Sequence, residues 1–208
     1  MNPMSQTLTE QYLFSEASLF SQSIQAGEFT FLAQDARGPD GTVGAAPSAE
    51  QQTRQCLVNL DTALHAFNQS TADVVSLSIY ISDYRDAAAV GKTLRARFGD
   101  DAPAVNFVGV CALDGHCSVR MDVIATTSED HETIRIAGLP LSIGAGCHAV
   151  RVGEWYFLSG VDAADSDGRI ASPLSIQMQT TEVLTRIEKI LERQQLSLGS
   201  LCRTFMFM

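Results

Sequence analysis

Apolar residues recur along this chain in two different rhythms. Val75, Leu77, Ile79 and Ile81 alternate with Ser76, Ser78, Tyr80 and Ser82, the period-two pattern of a strand with one buried face. Leu57, Leu60, Leu64 and Phe67 fall three or four apart, which is the spacing of a single helix face. Ser48 and Gln51 ahead of them are placed like a capping box. Ala88, Gly91, Leu94 and Phe98 predict a second helix, stopped by Gly99. Before the first helix, Leu19–Gln25 and Glu28–Gln34 read as strands separated by Ala26-Gly27, and a Gly/Pro-rich connection runs from Gly38 to Pro47. Two more short runs, Pro103–Val110 and Val119–Ala125, are β-branched or aromatic and bounded by Gly99-Asp100-Asp101 and Asp114-Gly115. They predict two adjacent strands joined by a loop at Leu113–His116. Residues 1–17 are polar, weakly patterned and read as an irregular lead-in.

The resulting order, β-β-α-β-α-β-β, predicts an α/β (α+β) layer with strands alternating with helices. The pattern then begins again. Ala26-Gly27-Glu28-Phe29-Thr30-Phe31-Leu32 returns as Val152-Gly153-Glu154-Trp155-Tyr156-Phe157-Leu158, and Asp40-Gly41 as Asp167-Gly168. Gln52-Thr53, Leu57, Leu60 and Leu64 return as Gln179-Thr180, Leu184, Ile187 and Leu191, and the strand ending at Ile81 as one ending at Met208. This divides the chain into a first unit over 1–127, a linker over 128–144 and an incomplete second unit over 145–208. A sheet layer without its last strands exposes an unpaired edge. The expectation is therefore that these residues are a fragment, or a truncated reading frame, of a longer tandem protein.

Charge and cysteine content narrow the function. The 14 basic and 24 acidic residues leave a net charge of −10 with no Lys/Arg cluster. That argues against nucleic acid or an anionic membrane as partner, because neutralising phosphates needs clustered positive charge. The five cysteines (56, 111, 117, 147 and 202) form no CxxC pair and read as small buried hydrophobes. No basic segment followed by an apolar one opens the chain, and no apolar run approaches the ~20 residues of a membrane span. A reduced, cytoplasmic setting is the expectation.

The gapless stretch Pro103-Ala104-Val105-Asn106-Phe107 through Val119-Arg120-Met121-Asp122-Val123-Ile124-Ala125 resembles the end of the RidA/YjgF family of enamine/imine deaminases. The resemblance implies a mixed sheet with both helices on one face, a chorismate-mutase-like layer here repeated in tandem. It implies hydrolysis of small 2-imino or 2-enamino acids to 2-keto acids without metal or organic cofactor, in homotrimers with sites between subunits. In the family an arginine grips the substrate carboxylate and an acidic residue on the last strand positions water. The arginine position is Val105 here, and the acidic position is Asp122. The family's Tyr-Ser-Gln-Ala becomes Phe20-Ser21-Gln22-Ser23, and its Ser-Gly-Gln becomes Ala33-Gln34. The candidate site is thus Asp122 as catalytic carboxylate, with Phe20, Ser21, Val105 and Phe107 lining the substrate.

Blander readings stand beside these. Asp122 serves equally as a solvated strand residue, and Val105 and Phe107, which share a strand face, as simple core. In the second unit Ser159-Gly160 keeps the family's Ser-Gly, whereas the Tyr-Ser-Gln position reads Gly146-Cys147-His148. Cys147 and His148 are strand neighbours, so their side chains point to opposite faces and make a poor nucleophilic dyad. His65, His116 and His131 lack metal-ligand spacing. Asp162, Asp165 and Asp167 before Gly168 lack the glutamate that closes a calcium loop, and a hairpin turn accounts for them. Two functions compete: a RidA-like deaminase with altered substrate, and a non-catalytic binding or scaffold module. Either takes a small carboxylate or apolar metabolite as partner.

Overall fold

The computed structural model describes residues 23–38, 40–44 and 47–207. Most of the Leu19–Gln25 strand, and with it Phe20 and Ser21, lies outside them. The chain opens on a hairpin of β1 (Ser23–Ala26) and β2 (Phe29–Asp35), with Ala26 paired to Phe29. The two-residue turn puts Gly27 at φ 61°, where a side chain is strained and glycine is not.

Helix α1 (Ala49–His65) starts on the anticipated capping box. Ser48 Oγ accepts from the Gln51 N–H at 3.2 Å, and Gln51 Oε1 accepts from the Ser48 N–H at 2.9 Å. Strand β3 (Val74–Ile81) and helix α2 (Ala87–Phe98) follow, α2 ending at Gly99 with φ 58°. Strands β4 (Ala104–Gly109) and β5 (Val119–Thr126) complete the β-β-α-β-α-β-β order.

The five strands lie in the order β1-β2-β5-β3-β4. Only β3 and β4 run parallel; the other pairs are antiparallel. The sheet is therefore mixed. Both helices pack on one face, where Leu57, Leu60 and Leu64 of α1 and Val90 and Leu94 of α2 meet Leu32, Leu77, Ile79 and Met121. From Ser76 onward, period-two alternation turns the odd-numbered residues of β3, β4 and β5 toward this core and the even-numbered ones toward the other face. A register shift between Val74 and Ser76 reverses this at the start of β3, so Val74 lies in the core and Val75, read from sequence as sharing a face with Leu77, lies on the other face.

One expectation is corrected here. β4 and β5 are consecutive in sequence but not neighbours in the sheet, because β3 lies between them and bonds to both. A parallel β3–β4 pair forces the chain to cross back, and β5 finds its antiparallel partners between β2 and β3.

A second sheet, β6 (His131–Ile134), β7 (Ala149–Val152) and β8 (Trp155–Leu158), is antiparallel throughout. β6 falls within the segment read as linker, so residues 128–144 are not a plain connection: four of them pair with β7. Val150, Val152, Cys147 and Phe157 pack against Val75, Ala104, Ile124 and Phe29 on the first sheet's face away from the helices. Phe29 meets Phe157 and Trp155 edge-on at centroid distances of 5.5 and 6.4 Å, the geometry aromatic pairs prefer.

Asp165 and Gly168 close a tight turn inside the Ala164–Ile170 bridge, as a hairpin requires. Helix α3 (Ile176–Arg193) follows, capped by Ser175. The strand anticipated up to Met208 does not form, since residues 201–207 carry no strand pairing. β3 owes its extended form to bonds from β4 and β5, and nothing comparable flanks 201–207. Among the described residues no helix is long and apolar enough to cross a membrane.

Candidate functional site

The proposed site residues separate across the sheet. Val105 faces the helices and is 3% exposed, packed in the main core. Phe107 shares that face, half-buried, with its ring against Gly144. Asp122 lies on the opposite face and two strands from β4, ~10 Å at the usual strand spacing. Val105 and Phe107 therefore do not line one pocket with Asp122.

The second unit closes over the backbone of Val105. Ser159 Oγ accepts from the Val105 N–H at 3.1 Å, and the Gly160 N–H donates to the Val105 carbonyl at 3.0 Å. Cys147 Sγ lies 3.4 Å from the Pro103 carbonyl and 3.9 Å from Ser159 Oγ. Burial pushes the Cys147 thiol pKa up, and the Ser159 hydrogen bond only partly opposes it. The thiol is thus a packing group and not a thiolate nucleophile.

His148 points elsewhere. Its Nδ1 accepts from the Ile136 N–H at 3.0 Å, and Nε2 faces the Leu139 carbonyl at 3.1 Å. No Cys–His dyad exists here. A cavity of about 10 Å³ remains beside Cys147, His148, Ser159 and Arg186, room for no more than a water.

Asp122 keeps different company. In register it sits between Ala33 of β2 and Ser78 of β3, and Ser78 faces Asn106 of β4. One row along, Arg120 lies between Asp35 and Tyr80. These side chains share the even face, beside the area the second sheet covers. Arg120 Nε is 3.6 Å from Asp122 Oδ1, an ion pair without hydrogen-bond contact. That Oδ1 is buried and has no hydrogen-bond partner among the described residues, although the side chain as a whole is about half exposed.

Burial raises the Tyr80 pKa, and the Asp122 carboxylate adds to the rise. Burial works to raise the Asp35 pKa as well. Hydrogen bonds from the Arg37 side chain and backbone, with the charges of Arg37 and Arg120, outweigh it and hold Asp35 below the usual carboxylate value. The cluster therefore presents a carboxylate, a guanidinium and a phenol on one accessible face. Sequence reading found Asp122 and missed Tyr80 and Arg120. Their signal was present in the alternation of the two strands, whose polar residues all fall on this face. Among the described residues no group of three or more His, Cys, Asp or Glu is arranged to hold a metal.

A family model described as endoribonuclease L-PSP matches residues 13–127, more than half the chain. This chain belongs to that family, the RidA/YjgF proteins. A RutC family protein of Pyrococcus horikoshii is 32% identical over 107 residues, which are 51% of this chain and 85% of the relative. A protein of Dermatophagoides farinae named 2-iminobutanoate/2-iminopropanoate deaminase is 24% identical over 109 residues, 50% of this chain and 83% of its own. Reactive Intermediate Deaminase A of Arabidopsis thaliana, chloroplastic, is 29% identical over 115 residues, 51% of this chain and 58% of its own.

Among solved structures, the Rid-family protein YyfA of Yersinia pestis superposes with a TM-score of 0.51 at 28% identity, over 54% of this chain and 91% of that one. The fold of a Thermotoga maritima protein titled a putative endoribonuclease agrees at a TM-score of 0.51 and 24% identity, over 58% of this chain and 99% of that one. The RidA-like layer read from sequence is thus the fold of the first unit.

Proposed function

We propose that this chain binds a small 2-amino or 2-imino carboxylate on the open face at Asp122, without the arginine-clamped deamination the family resemblance implies. One observation carries the reading. Asp122 offers a buried carboxylate oxygen, ion-paired with Arg120 at 3.6 Å and near Tyr80 but without a hydrogen-bond partner among the described residues, while position 105 is a core valine. In this reading the Arg120 guanidinium takes the ligand's carboxylate, which its planar fork matches. Asp122 takes the ammonium or iminium hydrogen, and the Tyr80 hydroxyl bonds a ligand oxygen. The deaminase names of the Arabidopsis and Dermatophagoides relatives support a ligand of this class. The net charge of −10 without a basic stripe weighs against nucleic acid.

Calorimetric titration with serine and with pyruvate tests the proposal. Saturable binding of at least one is expected, weakened about tenfold or more by Asp122→Asn and by Arg120→Gln, the loss of about one charge-assisted hydrogen bond each. No saturable binding of either refutes it. The homotrimer implied by the resemblance belongs to the same proposal, and sedimentation equilibrium measures it.

A second reading rests on Asp122 occupying the family's acidic position with Tyr80 at its side. Asp122 then orients a water onto the imine carbon. Water adds across the C=N bond, its oxygen bonding to carbon as one of its protons passes to nitrogen. The resulting hydroxyl then gives its proton to nitrogen as the C–N bond breaks, and ammonia leaves a 2-keto acid. A positioned carboxylate contributes ~10²–10⁴-fold to such a step. Ammonia release from freshly generated 2-iminopropanoate that falls to background in Asp122→Asn selects this reading. Release equal to the uncatalysed rate in the unaltered protein selects binding alone.

A further inference from the structure

The sheet face around Asp122 differs in polarity on its two sides. On β3 and β4 the residues level with Asp122 are Ser78 and Asn106. The second unit closes that side, since a Cβ added at Gly160 would stand 3.3 Å from Asn106 Oδ1. On β2 the residue level with Asp122 is Ala33, a methyl group only. One row further, about 7 Å along the strands, Ile124 pairs with Phe31 and Phe31 with Ile24. Leu32 and Val123 belong to the helix-side core. Alternation therefore sets Phe31, Ile24 and Ile124 on the face that Asp122 occupies.

Phe31 is 40% exposed and Ile24 55% exposed, and contiguous apolar surface of this kind marks a place where something binds. Phe29, one row beyond Phe31 on the same face, ends the strip. Phe157 and Trp155 of β8 meet it edge-on, and Trp155 is itself 53% exposed. A short apolar strip thus runs from Ala33 to the β7–β8 hairpin. It begins beside the Asp122 carboxylate oxygen that lacks a hydrogen-bond partner among the described residues. None of the residues that form it is basic.

We infer, resting on the Asp122 binding reading above, that Phe31 and Ile24 select the ligand's side chain. The ligand is then a 2-amino or 2-imino carboxylate bearing a branched aliphatic or phenyl group. With its carboxylate on Arg120 and its nitrogen on Asp122, the carbon between them lies over the Asp122 row. A side chain leaving that carbon has two directions across the sheet. Over Ser78 and Asn106 an apolar group strips water from polar atoms, which is unfavourable. Over Ala33, Phe31 and Ile24 it removes apolar surface from water on both partners. Phe29 and the β8 aromatics stand at the next row, so the strip suits a side chain of leucine or phenylalanine size. An acidic side chain finds no cation there.

Calorimetry on the full chain with leucine, phenylalanine, alanine and serine tests this. Leucine and phenylalanine are expected to bind about tenfold or more tighter than alanine, since each methylene-sized group fully buried is worth about fourfold. Phe31→Ser and Ile24→Ser are each expected to bring leucine within about twofold of alanine, and Phe31→Leu to keep the preference. Val58→Ser, at an exposed apolar position of α1 across the sheet, is expected to keep it too. Equal affinities for leucine and alanine in the unaltered chain overturn the inference and leave binding at Asp122 standing. A preference that survives both serine variants overturns it as well. So does a changed sedimentation of Phe31→Ser with the preference intact, which would make the strip a contact between copies of the chain. No saturable binding of any of the four amino acids, or of pyruvate, refutes the Asp122 reading and the side-chain selection with it.

Discussion

At position 105 the branched valine side chain fills a gap between Leu77 on the neighbouring strand and the helices above it, while its backbone holds Ser159 and Gly160 of the second unit. Nothing there can solvate a cation. Val105→Arg is therefore expected to cost several kcal/mol, as burying an unpaired charge does. Loss of cooperative unfolding in urea, with no gain in ammonia release, is the outcome anticipated. His148 contributes to the pH dependence of the second unit. Burial holds its imidazole below the usual histidine value, against the pull of the Leu139 and Pro140 carbonyls. The unfolded chain takes up a proton near pH 6.5 and the folded one does not. His148 therefore leaves stability intact above that pH and lowers it as pH falls toward the depressed folded value. The urea midpoint should drop between about pH 7.5 and about pH 5.5, and His148→Gln should flatten part of that drop.

Among the elements, α1 was legible almost residue by residue. Its cap and its buried stripe of Leu57, Leu60 and Leu64 follow from local rules, although the helix ends at His65, short of Phe67 in the apolar spacing. Ser48→Ala removes the acceptor for the Gln51 N–H and is expected to cost about 1 kcal/mol. Chemical denaturation should show this as a lower midpoint at unchanged slope. β3, with Leu77, Ile79 and Ile81 buried, was equally plain. Strand β6 was not. Four residues, His131–Ile134, carry too short a pattern to read, and they are strand because β7 offers its edge. The segment 201–207 is the converse, a strand-like sequence left irregular, with no strand paired to it among the described residues. A strand's form depends on its neighbours far more than a helix's does.

Across the whole molecule, the two units meet through close backbone contacts as well as through the Phe29–Phe157 and Val75–Cys147 apolar patch. Gly91 on α2 packs against Gly144, the last residue of the 128–144 segment, so tightly that an added Cβ would stand 2.6 Å from the Gly144 Cα. Gly144 in turn abuts the Phe107 ring. Backbone cannot yield as a side-chain tip does. Gly91→Ala is therefore expected to cost about 1–3 kcal/mol through overpacking. Gly44→Ala, with open space around it, should stay within about 0.5 kcal/mol. Paired thermal melts of the two variants measure the difference.

The sequence by itself determined the element order of the first unit, the capping box of α1, the buried stripe of that helix and the family to which the chain belongs, because periodicity and caps are local and a motif match needs no coordinates. Only the tertiary structure decided which residues share a site. β3 enters between β4 and β5, so Val105 and Asp122, close in a motif, end on opposite faces and two strands apart. Arg120 and Tyr80 come to Asp122 instead, by strand register. Register and strand order are set by pairing between residues far apart in the chain, and no local pattern carries that information.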